Sequence, residues 1–349
     1  MAKIKKKIAL IFGVTGQDGS YLAEFLLKKN YIIHGIKRRS SSANTERLDH
    51  IFDSLDFKNK NFFLHYGDVT DSSSTLNLIN KIRPNEIYNL AAQSHVRVSF
   101  EIPEYTANST ALGSLRILES LRILGLKKTK YYQASSSEMF GRQSKKISQN
   151  EKTIFRPMSI YAVSKVFSYH TSIYYRDAYG IFACNGILFN HESPRRGPNF
   201  VTKKIIQALV RIKNNKQKYL TLGNLYAIRD WGHAKDYVES MWKILQYKKP
   251  DDWVIATNEE MTVKEFINKS AKKLGIALVW KNKGLKEVAI DNKSKKIIIK
   301  IDKKFFRPGE VDFLKGDYRK AKKLLKWKPK FSPDKLIDDM INYEKSLYE

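Results

Sequence analysis

Short apolar runs alternate with segments of helical periodicity along the first half of the chain. Six runs have the length and the β-branched or aromatic content of buried strands: residues 8–12, 32–36, 62–66, 87–90, 131–134 and 183–189. Between them, apolar residues recur every three or four positions, as they do on one face of a helix. This alternation predicts an α/β fold built on a doubly wound parallel sheet.

The alternation becomes less regular in the second half of the chain. Residues 220–222 and 253–256 have the pattern of short strands, and residues 262–274 have the pattern of a helix. The stretch 282–304 is rich in lysine, and we expect an exposed hairpin or loop there. We expect the tail, residues 317–347, to be mostly helical.

A glycine-rich turn follows the first apolar run. Gly13, Gly16 and Gly19 stand between that strand and an apolar segment with helical spacing. Glycines at this place let backbone amides approach a pyrophosphate, which then sits on the N-terminus of the helix. The strand, turn and helix at the start of the chain therefore predict a dinucleotide site.

The end of the second strand is basic. Folds of this type that prefer NAD usually carry Asp or Glu there, on the ribose hydroxyls, but this chain has Lys37, Arg38, Arg39 and Ser40. Cationic side chains pair with a 2′-phosphate, whereas a carboxylate repels it. The charge therefore predicts NADP, and Asp68 after the third strand can accept from the exocyclic amine of adenine.

A candidate catalytic set follows the fifth strand. That strand ends in Ser135-Ser136-Ser137-Glu138, and Tyr161 and Lys165 stand further along, four residues apart. Four residues on a helix place two side chains on one face. We expect the lysine charge to lower the pKa of the Tyr161 phenol and to make it a base.

Composition narrows the possible partners. The net charge of +29 would suit nucleic acid, but the lysines are dispersed and form no aromatic-interleaved stripe, so we predict no nucleic-acid partner. No apolar run approaches the roughly 20 residues of a membrane span. The basic N-terminus lacks the apolar segment of a signal peptide, and Cys184 is the single cysteine. We predict a cytoplasmic protein without a metal site or a membrane partner.

Longer stretches match one family in order over nearly the whole chain, from Gly13 to about Lys330. They are GVTGQDGSYLAEFLL, HGIKRRSSS, NLAAQSHVRVSF, ASSSEMFG, YAVSK, ACNGILFNHESPRRG, LGN, RDWGHAKDYV, FRPGEVD and KAKKLLKWKPK. The chain resembles the extended short-chain dehydrogenases/reductases and, within that group, the GDP-mannose 4,6-dehydratases. NHESPRRG and RDWGHAKDYV are more restrictive than the glycine turn or the Tyr-x-x-x-Lys pattern.

The resemblance implies two domains and an oligomer. Residues 1–188, joined by about 229–258, would form an NADP-binding Rossmann domain. Residues 189–349 would form a smaller, mostly C-terminal α/β domain that binds a GDP-sugar. The loop with Arg38 and Arg39 would contribute to a subunit interface, which implies a homotetramer arranged as a dimer of dimers.

The resemblance also implies an internal redox elimination that turns GDP-D-mannose into GDP-4-keto-6-deoxy-D-mannose. Tyr161 would remove the C4 hydroxyl proton while the C4 hydride passes to NADP. Lys165 would tune Tyr161 and hold the nicotinamide ribose, and Ser136 would bind the C4 oxygen. Glu138 would remove the C5 proton and help water leave from C6, after which the hydride returns to C6.

Further residues match family positions for the two ligands. The implied cofactor-binding residues are Gly13, Thr15, Gly16, Gln17, Asp18, Gly19, Lys37, Arg38, Arg39, Ser40, Asp68, Val69, Leu90, Ala91, Ala92, Gln93, Ser94, Tyr105, Tyr161, Lys165, His191 and Arg196. The implied substrate-binding residues are Ser94, Ser136, Glu138, Asn190, Arg229, Arg307 and Glu310.

Two departures leave the sugar open. The family usually has Arg-Ser-Pro before the tyrosine, where this chain has Met158-Ser159-Ile160, and Pro198 stands where Glu is frequent. The same chemistry on GDP-D-glycero-D-manno-heptose, for 6-deoxyheptose synthesis, is therefore an alternative. A nucleotide-sugar epimerase is a further alternative, which Glu138 disfavours because epimerisation needs no acid or base there. A non-catalytic NADP-binding protein is another alternative, which the presence of the full candidate catalytic set disfavours.

Overall fold

The computed structural model describes residues 6–41, 43–53, 61–143 and 147–348. Residues 1–5, which belong to the basic N-terminal run, lie outside this part of the chain. The strands are β1 (Ile8–Phe12), β2 (Ile32–Lys37), β3 (Phe62–Tyr66), β4 (Glu86–Asn89), β5 (Lys130–Ser136), β6 (Ala183–Leu188), β7 (Asn190–Glu192), β8 (Leu220–Leu222), β9 (Ile228–Arg229), β10 (Trp231–His233), β11 (Asp252–Ile255), β12 (Met261–Thr262), β13 (Leu278–Lys281), β14 (Val288–Asp291) and β15 (Ile297–Ile301).

The helices alternate with the strands through most of the chain. A π-helical turn, Asn108–Leu112, joins α5 to α6. The helices are α1 (Gln17–Lys28), α2 (Asp49–Asp53), α3 (Ser72–Ile82), α4 (Val98–Glu101), α5 (Pro103–Ala107), α6 (Gly113–Ile123), α7 (Ile160–Tyr179), α8 (Val201–Lys213), α9 (Ala234–Gln246), α10 (Val263–Lys273), α11 (Arg319–Leu324) and α12 (Pro333–Ser346).

Seven strands form one parallel sheet in the order β11-β6-β5-β4-β1-β2-β3. The chain moves outward from β1 to β3 and then crosses to β4 on the other side of β1. Such a change of direction opens a crevice at the carboxyl ends of the strands, where ligands bind in sheets of this kind. The doubly wound parallel sheet predicted from the sequence is confirmed.

Helices cover both faces of this sheet, which explains why its strands are apolar throughout. Residues of α1 and α9 pack on one face, and residues of α3, α6 and α7 pack on the other. In β1, Leu10 and Ile11 point to opposite faces and are both fully buried. Buried apolar area of this kind is the main favourable term in folding.

A second, smaller sheet lies in the C-terminal half, in the order β13-β14-β15-β8. It packs with α8, α10 and α12 around its own hydrophobic cluster. The strands β14 and β15 do form an antiparallel hairpin, but Ala289 and Ile299 are fully buried. The expected exposure holds for residues 282–286 and 292–297, but not for the apolar strand residues, because β15 also pairs with the distant β8 and packs with the helices.

Strand β11 reaches the large sheet from far along the chain and pairs with β6. The structure therefore draws residues from both halves of the sequence into one sheet, while the division into two domains stays a prediction. The helix predicted for 262–274 agrees with α10 to within one residue at each end. None of the helices in the described ranges is long and apolar enough to cross a membrane.

Candidate active site

Ser136 and Glu138 lie where β5 ends, at the carboxyl edge of the large sheet. Ser136 is the last residue of the strand, and its Oγ accepts a hydrogen bond of 3.2 Å from the backbone amide of Glu138. This contact caps the short helical turn Ser137–Met139 and fixes the Glu138 backbone relative to the strand. Each of the two residues is only 9% exposed, and both line the same cleft.

Helix α7 brings Tyr161 and Lys165 to that edge. Ser159 caps the helix by accepting from the amide of Ala162 at 3.1 Å, so Tyr161 is the second helical residue. One turn later, Lys165 Nζ donates to the carbonyl of Ala134 in β5 at 2.6 Å. Ser136 lies close enough to the Tyr161 hydroxyl to lower the pKa of the phenol. The predicted catalytic set therefore forms one cluster across β5 and α7.

Burial dominates the protonation of this cluster. It raises the pKa of the Tyr161 phenol to about 12, and the interaction with Ser136 offsets only part of the rise. It also lowers the pKa of the Lys165 ammonium to about 8, against the attraction of Asp18. The expectation that Tyr161 has a lowered pKa is therefore wrong for the protein without ligands, because lost hydration outweighs any favourable charge.

The glycine turn has no room for side chains. Gly13 has a φ of +80°, and a Cβ there would lie 2.9 Å from the backbone nitrogen of Ala91. A Cβ on Gly19 would lie 2.5 Å from the Cα of Val14. Gly16 begins α1 without a side-chain cap, so no side chain of the cap residue covers the helix N-terminus. An anion can therefore approach these amides directly.

Asp18 and His191 form a largely buried ion pair beside the turn, with 21% and 12% of their side chains exposed. The His191 Nε2 lies 2.7 Å from Asp18 Oδ2, and its Nδ1 lies 2.7 Å from the carbonyl of Phe189. Burial opposes both charges, but their mutual attraction raises the pKa of His191 and lowers that of Asp18. Gln17 donates to Asp18 Oδ1 at 3.0 Å and to the backbone carbonyl of His191 at 3.1 Å. The start of α1 is therefore bound to the segment after β6.

A cleft of about 500 Å³ joins these features. Most of the residues that the sequence singled out contribute to its walls. They are Gly13, Gly16, Gln17, Asp18, Gly19, Leu90, Ala92, Ser94, Ser136, Glu138, Tyr161, Lys165, Asn190, His191, Arg196, Arg229, Arg307 and Glu310.

The remaining predicted residues lie outside the walls of that cleft. They are Thr15, Lys37, Arg38, Arg39, Ser40, Asp68, Val69, Ala91, Gln93 and Tyr105. Lys37 ends β2, and Arg38 Nη1 donates to the hydroxyl of Tyr105 at 2.6 Å. Val69 is buried against Gly113, whereas Asp68 Oδ1 accepts from the amide of Thr70 at 2.9 Å. Lys37, Arg38 and Arg39 therefore lie outside the cleft, at the surface where β2 ends.

Four of the predicted substrate residues, Asn190, Arg229, Arg307 and Glu310, line the cleft from the C-terminal half. Arg229 is 7% exposed, and its Nη2 lies 3.5 Å from Glu310 Oε1. Burial lowers its pKa, and the charge of Glu138 opposes that shift, so the two charges interact across the cleft. Asn190 Oδ1 is buried without a hydrogen-bond partner in the described residues. A buried acceptor without a partner is available to a ligand that supplies a donor.

Further residues that the sequence did not single out also line the cleft, among them Arg97, Phe200, Lys204, Asn224 and Phe305. Arg97 and Asn224 lie inside stretches that carried the family resemblance, which was the available signal. The aromatic residues face cations, with Arg196 Cζ 3.7 Å from the Phe200 ring centre and Lys204 Nζ 4.1 Å from that of Phe305. No local sequence pattern predicts these contacts between cations and aromatic rings.

Comparison with known proteins adds a family to this geometry. The family model described as GDP-mannose 4,6 dehydratase matches residues 10–340. This chain belongs to the GDP-mannose 4,6-dehydratase family. A GDP-mannose 4,6-dehydratase from Yersinia enterocolitica is 52% identical over 346 residues, covering 96% of this chain and 93% of the relative. One from Vibrio cholerae is 52% identical over 349 residues, covering 97% and 93%.

Solved structures show the same fold at low identity. UDP-glucose 4-epimerase from Thermotoga maritima aligns with a TM-score of 0.80 at 21% identity, covering 98% of this chain and 100% of that one. The dTDP-glucose 4,6-dehydratase from Bacillus anthracis, in complex with NAD, gives 0.79 at 19%, covering 97% of each. RMD from Pseudomonas aeruginosa, complexed with NADPH, gives 0.74 at 18%, covering 98% and 100%. These likenesses confirm the fold, and the family match confirms the predicted resemblance.

Proposed function

We propose that this member of the dehydratase family converts GDP-D-mannose to GDP-4-keto-6-deoxy-D-mannose with loss of water, using NADP as a tightly coupled redox cofactor. The observation that carries the proposal is the clustering of Ser136, Glu138, Tyr161 and Lys165 on one wall of the cleft, beside the glycine turn. The family match over residues 10–340 supports it. The names of the relatives favour mannose over the heptose alternative.

The residues present fit a nicotinamide dinucleotide. The turn at Gly13 and Gly19 is a cradle that a Cβ would fill, and α1 begins there without a side-chain cap. Those features suit a pyrophosphate. Gln17, Asp18, Lys165 and His191 stand beside the turn and would hold the rest of the group. When bound, the cofactor accepts a hydride from the sugar and later returns it.

The charge at the end of β2 favours NADP over NAD. Lys37, Arg38 and Arg39 lie at the carboxyl end of the strand next to β1, and Arg38 and Arg39 are exposed. Among the described residues, no carboxylate comes within ion-pair distance of these three side chains. Three cations without an acidic partner suit a phosphate dianion, because they need not break an existing ion pair to bind it.

Tyr161 and Ser136 would act at C4 of the sugar. The Tyr161 hydroxyl, once ionised, takes the proton of the C4 hydroxyl as the C4–H bond is broken. Ser136 lies next to the Tyr161 hydroxyl and would hold the C4 oxygen beside it. The charged form of Lys165 stabilises the tyrosinate that this step requires.

Glu138 would act at C5 and C6. A carbonyl at C4 acidifies the neighbouring C5–H bond, so a carboxylate can remove that proton. The same carboxyl group then protonates the departing C6 hydroxyl, which leaves as water. Tyr161 returns the proton to C5 as C6 is reduced, and atoms and charge balance over the cycle. The backbone of Glu138, held by Ser136, keeps the acid and the phenol on one wall.

The nucleotide would occupy the part of the cleft formed by the C-terminal half. Arg229 and Arg307 supply positive charge for the diphosphate, and Glu310 is placed to hold ribose hydroxyls. Asn190 has a free buried acceptor for a donor on the ligand. We propose these roles from the position of the residues and from their match to the family pattern.

The proposal also includes the domain boundaries, the oligomeric state and the cellular location. The two main hydrophobic clusters are consistent with an NADP-binding domain, residues 1–188 joined by about 229–258, and a sugar-nucleotide domain, residues 189–349, except that Ala321, Leu325 and Trp327 pack in the first cluster. The exposed Arg38 and Arg39 support a homotetramer that assembles through their loop. A cytoplasmic location is the last of these proposed features.

The proposal is tested by incubating the purified chain with GDP-mannose and, separately, with GDP-D-glycero-D-manno-heptose. Mass spectrometry of the products follows each reaction. We expect GDP-mannose to lose one water, with no net change in the amount of oxidised cofactor. Conversion of the heptose alone would transfer the assignment to the alternative substrate. A change of retention time without a change of mass would indicate an epimerase, and no conversion of either sugar would refute the dehydratase assignment.

A further inference from the structure

An exposed tyrosine stands next to the basic end of β2. Tyr66 is the last residue of β3, and 59% of it is exposed. It is the register partner of Lys37, the last residue of β2. Paired residues of neighbouring strands point their side chains to the same face of a sheet, so the ring and the ammonium group lie side by side. Both are at the carboxyl edge, where parallel sheets of this type bind ligands.

Two cations lie over the Tyr66 ring. Lys37 Nζ is 4.9 Å from its centre, and Arg39 Cζ is 5.7 Å from it. Both distances are within the range at which an aromatic ring attracts a cation. The intervening Arg38 is held by the Tyr105 hydroxyl instead. The three consecutive cations are therefore supported by aromatic side chains, with no carboxylate of the described residues in ion-pair reach.

We propose that Tyr66 is a positioning residue that sets the preference for a 2′-phosphorylated dinucleotide by holding Lys37 and Arg39 together at the end of β2. This inference rests on the proposed function, because it takes NADP as the cofactor. A phosphate dianion placed there meets two cations whose charges are already gathered. The ring attracts the cations without neutralising them, whereas a carboxylate would compete with the phosphate.

The physical gain is pre-organisation. Long cationic side chains lose rotamer freedom when a phosphate fixes them, and this loss weakens binding. A ring that already restricts two of them removes part of that loss. NAD lacks the 2′-phosphate and gains nothing from the arrangement, so the effect must appear in the ratio of the two affinities rather than in both alike.

The test measures binding rather than turnover. Dissociation constants for NADP and for NAD are determined by isothermal titration calorimetry on the full chain and on Tyr66→Ala and Tyr66→Phe. Tyr219→Ala is the matched control, because Lys300 Nζ lies 3.9 Å from the centre of its ring and 42% of the tyrosine is exposed, at a place remote from the turn. We expect Tyr66→Ala to weaken NADP about five- to tenfold, from the loss of two exposed cation–π contacts, and NAD less than about twofold.

The conservative variant separates the ring from the hydroxyl. Tyr66→Phe keeps the ring and should restore the NADP/NAD ratio to within about twofold of the parent. Tyr219→Ala should leave both constants unchanged. An unchanged ratio in Tyr66→Ala, or an equal loss of both nucleotides, would overturn the role in selectivity. Equal affinity of the parent chain for NADP and NAD would instead refute the proposed preference for NADP, so the two failures are distinguishable.

Discussion

The buried pair between Asp18 and His191 gives a pH-dependent prediction of stability. Its side chains are 21% and 12% exposed, and the carboxylate lies 2.7 Å from the imidazole. Asp18→Asn keeps the shape and leaves the histidine facing an amide. Removing one partner of a buried pair costs about 3–5 kcal/mol, because the remaining charge stays buried. One fifth of Asp18 is still exposed, so we expect a loss near the lower figure, about 3 kcal/mol.

The sign of the pH dependence follows from the two pKa shifts. The pKa of His191 is raised above its ordinary 6.5, so its contribution is complete below pH 6.5 and disappears as the pH rises through the raised value. The pKa of Asp18 is lowered below its ordinary 3.8, so its contribution is present above pH 3.8 and is lost as the pH falls through the lowered value. The pair contributes most to the free energy of unfolding between pH 3.8 and pH 6.5.

The free energy of unfolding is measured in urea at about pH 5.5 and at about pH 8.5, with far-UV circular dichroism. Asp18→Asn should lose about 3 kcal/mol at the lower pH. At the higher pH the histidine of the variant is neutral and accepts from the amide, so the loss should fall to about 1 kcal/mol, the value of a hydrogen bond.

Asp334→Asn is the control for this experiment. Asp334 pairs with Lys269 at 3.0 Å, and the two side chains are 54% and 44% exposed. Removal of so exposed a charge should cost about 1 kcal/mol or less at both pH values. An Asp18→Asn variant that loses the same free energy at both pH values, or none at about pH 5.5, would refute the assignment of a buried charged pair.

The other predictions concern the catalytic cluster and the turn. Glu138→Gln should still oxidise C4, seen as absorbance of the reduced nicotinamide, yet release no water; parental product yield would exclude its role as base. Tyr161→Phe should abolish the C4 oxidation, and detectable reduction of the cofactor in this variant would contradict its role. The active form has Tyr161 ionised and Lys165 protonated, and their pKa values are about 12 and about 8. The log of kcat/KM should therefore rise with unit slope up to pH 8. Above pH 8 it should level off, because the loss of protonated Lys165 cancels the gain in ionised Tyr161. A decline already below pH 7 would contradict this protonation scheme. Gly19→Ala should weaken NADP binding measured by calorimetry at least tenfold, since its Cβ meets Val14; unchanged affinity would show that the turn adapts.

The large sheet was predictable because its signals are local. The first six strands lie within two residues of the apolar runs, since both faces of a parallel sheet are buried and each strand is apolar throughout. The start of α1 is less visible in the sequence, because its first turn holds Gln17, Asp18 and Gly19 rather than apolar residues. The hairpin of β14 and β15 was found, but its burial depends on β8, which lies far away in the sequence.

The amino-acid sequence by itself determined the residue types of the site. The glycine turn and the Tyr161–Lys165 spacing are fixed by backbone geometry over a few residues, and they can therefore be seen without a fold. Only the tertiary structure decided which of these groups meet. It placed Arg229 against Glu310 and Asp18 against His191, and it turned Tyr66 toward Lys37. It also decided protonation, because the pKa of Tyr161 depends on how many neighbours exclude water, and that is a property of packing rather than of spacing.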